Sequence, residues 1–295
     1  MNLAEQLIVA TKRQRKLVVV IGDTMTDVWI HGKTAECQDG CKKFVRSEIV
    51  TTPGGAANAF RCLSNWGIRT ELYGYNGGDC PVKTRYVEDG RIIFRYDDDG
   101  PPERAERYVW ARKLGMEMVS CADAVLLSDY DKGFLTPEYI RDVAGLCKER
   151  GIPCVADCKR DPATYPHCIL KGNESWYDTC RKNNSYNGPT KGLVVSFGSK
   201  IPIAVSNDTG GDSSERYELP EVYCQNHVGA GDCFAAHLTL ALAYGFSLKD
   251  AAAIAYSAGR VYVQHPHNRP PLPSEVAVDM ATALVPAQCT PSRPE

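Results

Sequence analysis

The stretch ADAVLLSDYDKGFLTPEYIRDVAGLCKERGIPCVAD, Ala122–Asp157, holds a complete unit of the fold. It opens on ADAVLLSD, a short apolar run without polar alternation, which suits a strand buried on both faces of a parallel sheet. TPEYIRDVAGLCKERG then carries helical signals at both ends: Thr136 can cap, Pro137 suits the first turn, and Gly151 stops the helix after its last basic residues. GIPCVAD, Gly151–Asp157, is a short apolar run again. KLVVVIGD (Lys16–Asp23) and KGLVVSFG (Lys191–Gly198) repeat the strand pattern. Strands alternating with helices predict an α/β chain with a doubly wound, mainly parallel sheet flanked by helices. In open sheets of this kind ligands bind beyond the carboxyl ends of the strands, where Asp23, Asp129 and Asp157 stand.

Two segments depart from this pattern. GKTAECQDGCKKFVRSEIVTTPGG (Gly32–Gly55) and PVKTRYVEDGRIIFRYDDD (Pro81–Asp99) alternate polar and apolar residues, and Asp89-Gly90 in the second is a hairpin-turn signal. They predict a small antiparallel flap, with lid elements at about 32–53 and 81–99 of a single domain spanning residues 1–280, followed by a tail over 281–295. The Pro- and Gly-rich pieces Gly100–Glu103 and Arg269–Pro273 read as loops.

At 295 residues and 43% hydrophobic content the chain can bury a sizeable core. A net charge of -2, from 34 basic and 36 acidic residues, gives no general reason to expect a nucleic acid or a membrane surface as partner. Thirteen cysteines run from Cys37 to Cys289, and Cys121, Cys154 and Cys233 fall in apolar stretches where a small buried hydrophobe fits. Reduced thiols in a cytoplasmic protein are expected. The start, MNLAEQLIVATKRQRK, places its apolar turn before the basic cluster, the reverse of a secretory signal, and no run approaches a membrane span. Cys37 with Cys41, Cys154 with Cys158, and His265 with His267 lack the paired spacing of a metal site, so no metal ligand is assigned. Neither GxxxxGK[ST] nor a strand-bound GxGxxG occurs.

Chemistry concentrates in NHVGAGDCFAAHLTLALAYG, Asn226–Gly245. Phe234, Ala235, Leu238, Ala241 and Leu242 recur at helical spacing, so Gly229, Ala230 and Gly231 lie at a helix N-terminus. Small residues there let a phosphate approach free backbone N–H groups, and the helix dipole favours its charge. Asp232, beside this anion hole, can accept the proton of an attacking hydroxyl, the base that phosphoryl transfer calls for. The tetrapeptide alone is equally consistent with an aspartate that merely complements the dipole.

The stretch belongs to a set. HVGAGDCFAAHLTLALAYGFSLKDAAAIAYSAGRVYV resembles the C-terminal signature of the PfkB, ribokinase-like, carbohydrate kinases, and TPGGAANAFRCLSNWGIRTELYG resembles their N-terminal signature. The resemblance implies a ribokinase-like fold, ATP and Mg²⁺ as cofactors, sugar contacts at Gly54, Gly55 and Asn58, and ATP contacts at Lys159, Asn173, Ser196, Gly198 and Asn226. VVVIGDTMTDVWIHGK, PVKTRYVEDGRIIFRYD, LLSDYDKGFLTPE and VADCKRD are similar, in order, to the heptose-7-phosphate kinase branch. That branch implies Asp23 and Asp27 lining the sugar site, Lys83, Arg85 and Arg95 near the sugar or its phosphate, and Asp129 with Lys132 closing the cleft. It also implies a homodimer paired through the lid. Lys83 and Arg85 point to one face of a strand, as phosphate binding needs, although the spacing taken alone more often describes a solvated edge strand.

Three departures stand out. Trp176 occupies the place of a glutamate that helps organise magnesium in the family, Asn226 replaces an aspartate, and Val228 replaces a threonine or serine. The segment between LYGYNGGD and PVKTRY is also shorter than in the family. The expectation is an ATP-dependent kinase for a sugar or sugar phosphate such as heptose 7-phosphate. The alternatives are a kinase for another small alcohol such as a nucleoside, and a sugar- or nucleotide-binding protein without catalysis.

Overall fold

The computed structural model describes residues 1–101, 106–183, 190–198, 200–206 and 221–283. The leading strand β1 (Leu17–Gly22) lies between β4 (Arg69–Tyr73) and β7 (Ala124–Ser128), parallel to both. The sheet continues through β8 (Cys154–Asp157), β9 (Ile169–Asn173) and β10 (Gly192–Phe197), all parallel, and closes on the antiparallel β11 (Lys200–Ser206). Its seven-strand order, β11-β10-β9-β8-β7-β1-β4, is the expected doubly wound arrangement with one antiparallel edge.

The continuous apolar runs have the reason assigned to them. Val18 and Val20 of β1 enter one core with Ala124 and Leu126, whereas Val19 and Ile21 enter the opposite core with Val125 and Leu127. The first core is covered by α1 (Leu3–Arg13), α2 (Ala56–Ser64), α6 (Ala230–Ala243), α7 (Leu248–Val263) and α8 (Pro273–Ala283). The second lies under α3 (Val109–Val119) and α4 (Pro137–Arg150). A strand with helices on both sides has no solvent face, so no polar alternation survives in its sequence. In α4 the Thr136 side chain accepts from the Tyr139 N–H at 3.2 Å, and Gly151 ends the helix at φ 67°. Cys154 and Cys233 are buried as expected, but Cys121 is exposed in the turn after α3.

The flap is a separate four-stranded sheet, in the order β3-β2-β5-β6. It is built from β2 (Thr24–Glu36), β3 (Lys42–Gly55), β5 (Val82–Glu88) and β6 (Arg91–Asp98). It is antiparallel except for the parallel β2–β5 pair, and it begins at Thr24, directly after β1. Asp89 and Gly90 turn the β5–β6 hairpin at φ 47° and 77°, the positive angles that a tight two-residue hairpin requires. Among the described residues no helix is long and apolar enough to cross a membrane. Residues 284–295 of the expected tail lie outside the described residues, as do 102–103 of the expected loop.

Candidate active site

Helix α6 opens at Gly229, which holds φ 83°. A side chain there would meet the Tyr262 hydroxyl and the Asn58 amide, so both conformation and space require glycine. The Ala230 N–H donates to the His227 carbonyl at 3.2 Å. Ala230 therefore does not offer its amide to an anion, a correction to the expected set, while Gly231 keeps a first-turn amide at a position that lacks an acceptor within the helix. A Cβ on Gly231 would stand 3.0 Å from Lys171 Nζ, which places that ammonium beside the helix mouth. Lys171 on β9 is 3% exposed and pairs with Asp157 Oδ1, at the end of β8, at 2.9 Å.

Asp232 follows in the first turn and is 3% exposed. The Tyr130 hydroxyl donates to its Oδ1 at 2.6 Å and the Asn58 amide donates to its Oδ2 at 3.1 Å. Burial pushes the Asp232 carboxyl up to about 7; Asp157 adds to the rise, while the hydrogen bonds from Tyr130 and Asn58 and the charge of Lys171 oppose it. A carboxyl held there can take and return a proton near neutral pH.

On one side of this helix mouth lies a cavity of about 580 Å³. Lys159, Asn173, Ser196 and Gly198 line it, together with Ala230, Gly231 and Lys171. Phe234, Tyr256 and Val263 give it an apolar wall. A charged, polar lining with an apolar wall suits a nucleotide. Asn226 is not part of the lining. Its amide donates to Asn268 Oδ1 at 2.9 Å and its carbonyl oxygen accepts from the Val228 N–H at 3.0 Å, so it braces the loop before α6 rather than facing the cavity.

Trp176, at the position of the family's glutamate, packs its ring against Gly172 and donates Nε1–H to the Arg160 carbonyl at 2.9 Å. Glu174, the first residue of helix α5 (Glu174–Lys182), does line the cavity, as do Asp157 and Glu221, and is a carboxylate that would meet Mg²⁺ carried on nucleotide phosphates. Asn173 caps the same helix, accepting from the Trp176 N–H at 2.9 Å.

On the other side lies the inward face of the flap. Register sets Asp27 opposite Lys83 and Lys83 opposite Asp97, while Trp29, Arg85 and Arg95 form the next row. Because residues two apart share a face, one surface collects all of these side chains. Arg85 donates to Asp27 Oδ1 at 2.6 Å and lies 4.8 Å over the Trp29 ring. Arg95 grips both oxygens of Asp97 at 2.7 Å, and Lys83 reaches the same carboxylate at 3.4 Å. β5 is an interior strand, with Lys83 and Arg85 8% and 5% exposed, so the solvated-edge reading of their spacing is excluded. Gly54 is required by close approach, since any side chain would collide with the Asp27 carboxylate. Gly55 starts α2, which brings the buried Asn58 to Asp232.

Two expected substrate contacts are corrected. Asp23 is fully buried, and its oxygens accept from the backbone N–H groups of Tyr130, Lys132 and Phe134 at 2.9, 3.1 and 3.1 Å. Asp129 is equally buried and accepts from Tyr165, Arg160 and the Asp131 N–H. Both carboxylates shape the 129–135 loop from within, and this is why they occur at strand ends without facing the cleft. Desolvation raises both carboxyls from their usual range, against the hydrogen bonds that each receives. Lys132 instead pairs with Asp99 at 2.6 Å.

Sequence reasoning passed over Tyr130, Lys171, Asp97, Trp29 and Asn268. A lysine inside the apolar run ILKGN was the available signal for Lys171, because a buried ammonium needs a partner. Asn268, fully buried at φ 56°, donates to Thr52 at 3.2 Å and to Asp27 at 3.4 Å across more than two hundred residues of chain, a contact no local pattern announces.

The chain is similar to the bifunctional protein HldE of Hyphomonas neptunium, with 28% identity over 295 residues that cover 84% of this chain and 60% of that one. HldE of Helicobacter pylori is 26% identical, over 84% of this chain and 63% of its own length. The chain thus spans about three fifths of the length of these relatives. No family model matches it. Among solved structures, ribokinase of Arabidopsis thaliana, complexed with ribose and ATP, superimposes with a TM-score of 0.66 at 16% identity, covering 90% of this chain and 99% of that one. Phosphofructokinase-2 of Escherichia coli, complexed with potassium, gives a TM-score of 0.66 at 15% identity, covering 92% and 99%. The fold is the ribokinase-like fold.

Proposed function

We propose that this chain, a PfkB-like protein with the ribokinase-like fold and HldE among its relatives, is an ATP-dependent kinase that phosphorylates a hydroxyl of a sugar phosphate, with heptose 7-phosphate as the acceptor. The observation that carries the reading is Asp232. A buried carboxyl with a pKa near 7 stands at a helix mouth between a nucleotide-sized cavity and a charged, polar sheet face.

In the proposed step Asp232 removes the acceptor hydroxyl proton as that oxygen attacks the γ-phosphorus, and the bond to the β–γ bridging oxygen breaks to leave ADP. The Gly231 amide and Lys171 stabilise charge on the transferring group. Mg²⁺, when bound, neutralises the nucleotide phosphates, and Glu174 would hold it.

Of the six buried side-chain polar atoms without a partner among the described residues, three support a polyol acceptor: Asn58 Oδ1, Trp29 Nε1 and His31 Nε2. Sugar hydroxyls would satisfy them. Lys83, Arg85 and Arg95 on one face support an acceptor that already carries a phosphate. A cytoplasmic setting, in which its thiols would stay reduced, remains part of the proposal, and the exposed apolar side of the flap supports a homodimer paired through it. Trp176 favours a second reading, binding without catalysis, because the resemblance assigns its position to the family's metal-organising glutamate and its indole is engaged with the Arg160 carbonyl.

The test is mass spectrometry of the products formed from ATP and Mg²⁺ with heptose 7-phosphate, ribose or a nucleoside as acceptor. A heptose bisphosphate is expected. Phosphorylation only of an unphosphorylated acceptor would overturn the heptose phosphate assignment, and binding without product would favour the second reading. Arg95, 49% exposed at its side chain, is a cleaner charge probe than Arg85, whose removal would strand the buried Asp27. Arg95→Ala is expected to raise the KM for the sugar phosphate roughly tenfold to a hundredfold, the worth of a charge-assisted contact, and to leave the KM for ATP unchanged.

A further inference from the structure

We infer that Tyr130 is a positioning residue for Asp232, its phenol holding the carboxylate in one orientation and favouring its charged form. The inference rests on the reading of Asp232 as the base.

The geometry is specific. Among the described residues Asp232 receives two side-chain hydrogen bonds, one on each oxygen: Tyr130 Oη to Oδ1 at 2.6 Å and Asn58 Nδ2 to Oδ2 at 3.1 Å. Two donors on opposite oxygens fix the carboxylate plane, while each oxygen keeps a lone pair for an incoming hydroxyl. Tyr130 is itself held. Its own N–H donates to Asp23 Oδ2 at 2.9 Å, and the Lys159 ammonium lies 4.8 Å above its ring. Burial and the neighbouring carboxylates push the Tyr130 phenol well above its ordinary range, so it stays a neutral donor throughout the working pH range. The Asp23 brace thereby gains a purpose: it sets the loop from which Tyr130 reaches the base.

Other groups also face Asp232. Asp157 on β8 raises its pKa, and Lys171 on β9 lowers it. On α2, Asn58 lowers it as well, and Tyr262 on α7 touches the same Asn58 amide at 3.0 Å. Removing only the Tyr130 hydroxyl leaves all of these in place. A donor to the charged form stabilises that form, so its loss must move the titration upward.

The test compares the parent with Tyr130→Phe in two arms. In the first, carboxyl-¹³C aspartate labelling, with Asp232→Asn to assign the signal, gives the Asp232 titration midpoint by NMR without any substrate. Tyr130→Phe is expected to move it up by about one to two pH units. In the second, kcat/KM for the accepted sugar is followed with pH. The acid limb is expected to shift by the same amount, with a loss of roughly tenfold or more at about pH 6.5 and a difference within about threefold at about pH 9.

A purely structural tyrosine would depress activity equally at both pH values and leave the midpoint alone, and either result overturns the proposal. Should Tyr130→Phe fold poorly, a fluorinated tyrosine at the same position, a stronger donor, is expected to move the midpoint down, and an unmoved midpoint overturns the proposal in that case too. If no acceptor is phosphorylated at all, the kinase reading fails, and the NMR arm still decides whether Tyr130 controls Asp232.

Discussion

Asp232 is almost wholly enclosed, and that enclosure is what raises its carboxyl from an ordinary 3.8 to about 7. The ionised form, which alone can take a proton, is therefore depleted as the pH falls below about 7, and turnover is expected to fall with it. Stability follows the opposite course. A carboxyl whose folded-state pKa is raised contributes its full stabilisation below the unfolded value and loses it as pH rises through about 7. Asp232→Asn should thus lower turnover by roughly two to four orders of magnitude while ATP still binds. It should also raise the thermal midpoint at about pH 8, with a gain that disappears toward about pH 4. Steady-state kinetics, ATP titration and melting curves at the two pH values check the three parts. Turnover within a few fold of the parent would remove Asp232 from the mechanism.

At the scale of elements, what could be read in the sequence divides by the range of the contacts. The buried strands β1, β7, β8 and β10 and the cap and stop of α4 are local patterns, and each lies where its sequence put it. The edge strand β4 reads RTELY, mixed in polarity, and gave no signal of that kind. The glycine-rich mouth of α6 was legible because small residues, an acid and an apolar helix stand consecutively, but the loss of the Ala230 amide to His227 comes from the turn through Val228 and Gly229, a backbone conformation that residue types alone do not fix. Strand-end aspartates look alike in sequence, yet Asp157 faces the cavity while Asp23 accepts from backbone donors and Asp129 from Tyr165, Arg160 and the Asp131 N–H, partners that only the folded 129–135 loop and its surroundings supply.

The flap was legible as alternation, and its role is a question of dynamics. Four strands attached to the main sheet directly after β1 and at the start of α2 can close as a unit over the cleft. Bound sugar phosphate is expected to protect the amides of β2, β3, β5 and β6 from hydrogen exchange more than ATP does, because Lys83, Arg85, Arg95 and the unpartnered ring nitrogens of Trp29 and His31 belong to the flap. Equal exchange with and without the sugar would count against a lid.

For the whole molecule the difference between the two faces of the flap is decisive. Its inward face collects charged and polar side chains, buried on β2 and β5, whereas its outward face presents an apolar row running Ile49, Ile30, Tyr86, Phe94 across all four strands, with Tyr96 beside it. Ile49, Tyr96 and Phe94 are 46%, 55% and 59% exposed. A sheet with one face on the cleft and an apolar opposite face is half of a sandwich, and a second copy supplies a matching face by symmetry. Aromatic and branched side chains in register would then bury each other as they do in any packed pair of sheets, and the charged face would be held rigid from behind. Phe94 is the most exposed of the row, so a charge there disturbs the pairing without entering either core. Phe94→Asp is expected to shift the mass measured by light scattering from two chains to one and to raise the KM for the sugar phosphate through a looser flap, with ATP binding preserved. A parent that is already a single chain in solution, or a variant that stays paired, would show that this face is covered in some other way.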